Sequence, residues 1–101
     1  MIIRIVKLQF QPDKTAEFLT FFQSIKEVVN GFEGCLGMQL LQDAKHPNII
    51  MTYSHWIDED ALENYRLSEA FGGIWPTIKP WFEAKPEAWT MHPYFDGFSL
   101  K

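Results

Sequence analysis

Little in this sequence could cross-link the chain: Cys35 is the one cysteine among 101 residues. An internal disulfide is excluded, which fits a reducing compartment. With no cationic neighbour close in sequence, Cys35 reads as a small strand residue rather than a nucleophile. Basic residues are also scarce. Nine Lys and Arg stand against thirteen Asp and Glu, for a formal charge of −4, and they form no basic run. A nucleic-acid partner is not expected. The longest apolar stretches fall well short of a bilayer span, and Arg4 and Lys7 interrupt the apolar residues at the amino terminus, so neither a membrane segment nor a signal peptide is predicted. A cytoplasmic location is the expectation. Phosphate-binding glycine loops are missing, since Gly72-Gly73 is a lone pair and Gly31 and Gly34 are explained by a helix exit. The three histidines and the cysteine are scattered, without the spacing of a ligand motif, so neither a metal nor a cofactor is expected.

Aromatic residues, by contrast, are plentiful. Nine Phe and four Trp exceed what one small core readily hides, and the surplus needs a pocket or an interface. A hydrophobic fraction of 47% is ample to order a backbone of this length as one domain, taken as 1–101 with 93–101 as a carboxy-terminal arm.

Met1 to Phe10 is rich in β-branched and apolar residues and ends at Gln11-Pro12, as a strand does. Val6, Leu8 and Phe10 would point one way, Ile3 and Ile5 the other, so both faces carry apolar groups. Between Asp13 and Asn30, Phe18, Phe22, Ile25 and Val29 recur at helical spacing, and Phe32 continues the stripe. Asp13 is the expected start signal and Asn30-Gly31 the left-handed closure. Cys35 to Asp43 and Asn48 to Trp56 are two β-prone runs joined by a short polar segment, which predicts an antiparallel hairpin. Asp58 then caps a helix carrying Ala61, Leu62, Tyr65 and Phe71. That helix is expected to pause at Gly72-Gly73 and resume through Ile74, Trp75, Ile78, Trp81 and Phe82, with Pro76 in its first turn and a kink at Pro80. Ala88 to His92 reads as the last strand, and the tail through Phe95, Phe98 and Leu100 is apolar enough to be expected to pack.

The order strand, helix, strand, strand, broken helix, strand is the split βαβ pattern of a ferredoxin-like α+β domain with a four-stranded antiparallel sheet. Helices on one face leave the apolar residues of the other face to a second copy, so a homodimer is expected.

Several of these residues together resemble the antibiotic biosynthesis monooxygenase family. They are Phe32-Glu33-Gly34-Cys35-Leu36-Gly37 entering the second strand, Asp43 with Pro47 in the hairpin, Trp56-Ile57-Asp58-Glu59-Asp60-Ala61-Leu62 entering the second helix, and Tyr65-Arg66-Leu67-Ser68-Glu69-Ala70-Phe71 after it. The resemblance covers nearly the whole chain and implies a dimeric α+β barrel. It also implies a cofactor-independent oxygenase acting on a small phenolic or quinol-like aromatic. In such enzymes the substrate anion gives an electron to dioxygen in a dry pocket. The family also includes haem-degrading enzymes and proteins without known activity. Haem-degrading members combine an asparagine on the first strand with a tryptophan and a histidine around the second helix, where this chain has Val6, Tyr65 and Trp75. Many quinol-oxidising relatives carry histidine in place of Tyr65 and glutamate in place of Ser54, so those roles do not transfer.

The candidates for acid–base chemistry are His55 at the end of the third strand, His92 near the end of the fourth, and Tyr65 on the second helix, whose hydroxyl could bind a phenol or an anion. Each also has an ordinary structural role available to it. Tyr53, His55, Ile49 and Met51 share one side of the third strand while Thr52, Ser54 and Trp56 share the other, and only one set can face the helices. Trp75, Trp81 and Phe82 with Met38, Met51 and Tyr53 are the candidate walls of a flat cavity for a small aromatic molecule, with plain core packing as the alternative. The same pocket without turnover, in a binding or stress-response dimer, is the competing function.

Overall fold

The computed structural model describes residues 1–98 of the chain. Four strands, β1 (Ile2–Gln9), β2 (Cys35–Gln42), β3 (Ile49–Trp56) and β4 (Glu87–Met91), form one antiparallel sheet in the order β2-β3-β1-β4. Helix α1 (Thr15–Asn30) joins β1 to β2, and α2 (Glu59–Arg66) with α3 (Glu69–Ile78) joins β3 to β4. This is the ferredoxin-like α+β arrangement expected from the element order. No helix among the described residues is long and apolar enough to cross a membrane.

Strand alternation sorts the sheet into two unlike faces. Ile2, Leu8, Phe10, Ile50, Ser54 and Trp56 are buried, all on the side the helices cover. On the other side Leu41, Trp89 and Met91 remain 46%, 37% and 45% exposed. In β2 the parity is restored by a bulge: Cys35 pairs with Trp56 but Gly37 with His55, so one extra residue, Leu36, is inserted and left exposed. After it Met38 and Leu40 face the helices opposite Ser54 and Thr52.

Local chemistry accounts for the helix ends. Asp58 Oδ1 accepts the Ala61 amide at 2.8 Å to start α2, as expected, and Ser68 Oγ accepts the Phe71 amide at 3.2 Å to start α3. The break therefore falls at Leu67-Ser68 rather than at Gly72-Gly73, which lie inside α3, because a side-chain cap interrupts a helix more sharply than paired glycines do. Pro76 sits inside α3 rather than in its first turn, and Pro80 opens the short 3-10 turn Lys79–Trp81. A second 3-10 turn, Pro12–Lys14, precedes α1, so Asp13 does not cap that helix.

Gly31 closes α1 with φ −95°, so the left-handed closure expected there is absent; Gly34 has φ 87° instead. The reason is proximity. A Cβ at Gly34 would stand 2.5 Å from Ala61 Cβ, where the turn before β2 lies directly on α2. Tyr94, Phe95 and Phe98 are 95%, 85% and 86% exposed, so the expected packing of the tail is not realised on this chain's own core. Leu100 lies outside the described residues.

Replacing Gly34 by Ala adds left-handed strain and a clash, and should destabilise the fold by about 2–4 kcal/mol in urea unfolding. Asp58→Ala should cost about 1 kcal/mol through the lost cap.

Candidate active site

Two packed clusters occupy opposite ends of the covered face. Leu8, Phe10, Phe18, Ile50 and Ile78 form one, and Ile2, Trp56, Ala61 and Leu62 the other. Between them lies a cavity of about 410 Å³ whose floor is the sheet. Val6, Thr52 and Met38 contribute to that floor, α1 supplies Phe22 and Val29, and the facing wall is Tyr65, Phe71 and Trp75. The facing wall is built from ring contacts. Tyr65 meets Phe71 edge-on at 5.4 Å, Phe71 stacks on Trp75 at 5.8 Å, and Trp56 and Phe32 hold Tyr65 from behind at 5.2 Å each.

Polar groups gather at the α2 end of the floor. Trp56 Nε1 donates to Ser54 Oγ at 3.0 Å, and Ser54 Oγ donates to the Arg4 carbonyl at 3.4 Å, so the buried serine is satisfied. Arg4 lines the cavity and donates from Nη1 to Thr90 Oγ1 at 2.8 Å across the β1–β4 pair. Burial lowers the pKa of its guanidinium, the like charge of Arg66 lowers it further, and Glu63 opposes both. The Tyr65 hydroxyl has no hydrogen-bond partner among the described residues. Burial pushes its pKa up to about 12, with Cys35 adding a smaller rise, so it remains a neutral donor at physiological pH.

Of the residues nominated from sequence, Tyr65, Trp75 and Met38 line this cavity. The register of β3 puts His55, Tyr53 and Met51 on the opposite face of the sheet, opposite Ile3, Ile5 and Lys7. His55 rests edge-on against Tyr53 at 5.1 Å, and its Nε2 is buried without a partner among the described residues. His92 lies on a shallow surface groove beside Met1, Asp58 and Asp60. Trp81 and Phe82 pack into the core instead. Trp81 meets Phe21 at 6.0 Å, and Phe82 meets Phe10 at 5.3 Å and Trp75 at 5.5 Å. Among the described residues no group of His, Cys, Asp and Glu could hold a metal ion.

Arg4 and Arg66, neither of them among the candidates from sequence, also line the cavity. The signal for Arg4 was present, because it shares strand parity with Val6 and Leu8. In the hairpin, Asp43 Oδ1 accepts the Lys45 and His46 amides at 2.8 Å each. The His46 and then the Lys45 hydrogen bond lower its pKa, which makes it a turn residue.

The split βαβ fold is also what this chain shares with known proteins. The family model for antibiotic biosynthesis monooxygenase matches residues 1–74, and the chain belongs to that family. It is similar to a conserved protein from Methanosarcina mazei Go1, with 28% identity and a TM-score of 0.84 over 91% of this chain and 92% of that one. A solved antibiotic biosynthesis monooxygenase is 21% identical, with a TM-score of 0.88 over 94% of this chain and 100% of its own. A candidate member from Nitrosomonas europaea is 17% identical, with a TM-score of 0.87 over 94% and 100%. No curated protein matches the sequence.

The Tyr65 pKa sets a pH dependence with a definite sign. Folding favours the neutral hydroxyl, so its contribution is intact below pH 10 and is lost as pH climbs from 10.0 toward 12. Urea unfolding of wild type across that range should show a loss of stability that Tyr65→Phe removes.

Proposed function

We propose that the chain is a cofactor-independent monooxygenase that oxidises a small phenolic or quinol-like aromatic with dioxygen in the cavity between its sheet and helices. The half-open, aromatic-walled cavity, with one phenol hydroxyl in its wall that has no hydrogen-bond partner among the described residues, is the observation that carries this reading. Flat rings fit between Trp75, Phe71 and Met38, whose faces favour stacking. Tyr65, held neutral, donates a hydrogen bond to the substrate oxygen as charge develops on it.

No histidine is among the cavity-lining residues, so deprotonation rests on the acidity of the substrate itself. Its anion passes one electron to dioxygen and the radical pair recombines at a ring carbon. One oxygen atom stays in the quinone and the other leaves as water.

A second copy covering the open face completes the reading. Ile3, Ile5, Met51 and Tyr53 with Trp89 and Met91 make that face apolar, and the unpartnered His55 Nε2 lies within it. Burial of such a surface is what homodimer interfaces achieve. Sedimentation should give a dimer, and Trp89→Glu with Met91→Glu should yield monomers.

Turnover is checked with an oxygen electrode on metal-free protein and 1-naphthol-type or quinol substrates. Uptake should follow ionisation of the substrate rather than a group titrating near pH 6.5. Tyr65→Phe should lower kcat by about tenfold to a hundredfold. Phenols that bind without any oxygen uptake would make the protein a binding module.

A further inference from the structure

We propose that the ligand of this cavity carries a carboxylate, and that Arg4 is the residue that selects for it. The inference rests on reading the cavity as the ligand site and adds the chemical class of what enters. Arg4 is the element that apolar packing does not explain. It stands on the covered face of β1, in register with Ser54 on β3 and Thr90 on β4, and it lines the cavity. An arginine placed there loses hydration, and it normally regains the lost energy from a carboxylate.

Among the described residues no carboxylate stands within ion-pair distance of Arg4, and Glu63 acts on it only at longer range. Its one side-chain hydrogen bond goes to a neutral hydroxyl, Thr90 Oγ1 at 2.8 Å, through Nη1. A guanidinium has five donors in a planar fork, so most of the fork remains to be used.

The acids nearby are already engaged. Glu63 Oε2 is 3.1 Å from Arg66 Nη1, and Glu87 Oε2 is 3.9 Å from Lys7 Nζ. Arg66 lines the same cavity, and so does Glu87, so two positive groups, a neutral phenol donor and one acid already drawn toward Lys7 border one space. A bound anion relieves the mutual repulsion of the two positive groups and offsets the hydration that partly buried Arg4 gives up. The aromatic wall of Phe71 and Trp75 asks for a flat apolar body on that anion. An aryl carboxylate joins the two demands, and its paired oxygens match the fork of Arg4 better than a single phenolate oxygen does.

Paired probes of the same shape test this. Isothermal titration of the full-length protein at neutral pH compares 2-naphthoate with 2-naphthamide, which differ in charge and hardly in size. Wild type should bind naphthoate about tenfold to a hundredfold more tightly. Raising the ionic strength should weaken naphthoate alone. Arg4→Gln, which keeps a donor toward Thr90, should bring the two affinities together by weakening naphthoate far more than naphthamide, while Arg4→Lys should retain part of the preference. Equal affinities in wild type, or a preference that survives in Arg4→Gln, would overturn the proposal. Should Arg4→Gln fail to fold, Arg4→Lys decides, and a preference fully kept in that variant would overturn the assignment to Arg4. Naphthamide binding without preference for naphthoate leaves the cavity reading standing and removes this one, whereas no binding of either probe overturns both.

Discussion

The space above the middle of the sheet exists because the helices are propped at its two ends. Phe10 and Phe18 stack at 4.4 Å at one end, while Trp56 fills the other with its indole wholly buried. Interiors pack densely, so side chains of this size cannot be compressed to let the helices settle onto Val6 and Thr52. The cavity is thus a consequence of where the largest rings are placed. Phe18, Ile78 and Leu8 belong to one cluster and Trp56 and Leu62 to the other, and all five border the gap.

Trp56 also ties this packing to the electrostatics. Its Nε1 is satisfied by Ser54 Oγ, which in turn reaches the Arg4 backbone. A buried indole that would otherwise strand a donor therefore anchors the strand position from which Arg4 enters the cavity. The same indole packs against Tyr65 at 5.2 Å, so one side chain bears on both Arg4 and Tyr65.

Most of the fold was legible in the sequence. Apolar spacing identified every major element, and Asp58 and the hairpin turn at Asp43 carried their own signals. Some misses were local, such as the Ser68 cap that breaks the second helix, and others were set by tertiary contact. Gly34 rather than Gly31 takes the left-handed conformation because α2 presses on that turn, and no local pattern reports Ala61 as its neighbour. The site was less legible. Parity alone cannot say which side of β3 meets the helices, and the buried pair Ser54 and Trp56, rather than Tyr53 and His55, took the covered side. Trp75, Trp81 and Phe82 are alike in sequence context, yet only Trp75 reaches the cavity, because the turn at Pro80 redirects the chain toward Phe10 and Phe21.

The pairing of β1 with the edge strand β4 bears on how the molecule is made. Arg4 and Thr90 are 86 positions apart, so the hydrogen bond that holds the guanidinium spans most of the chain. A nascent chain leaving the ribosome can assemble β1, α1, β2 and β3 early, but the arginine has no clamp until the last strand arrives. Contacts this distant in sequence are slow to form, and the cavity is therefore among the last parts of the domain to mature during synthesis.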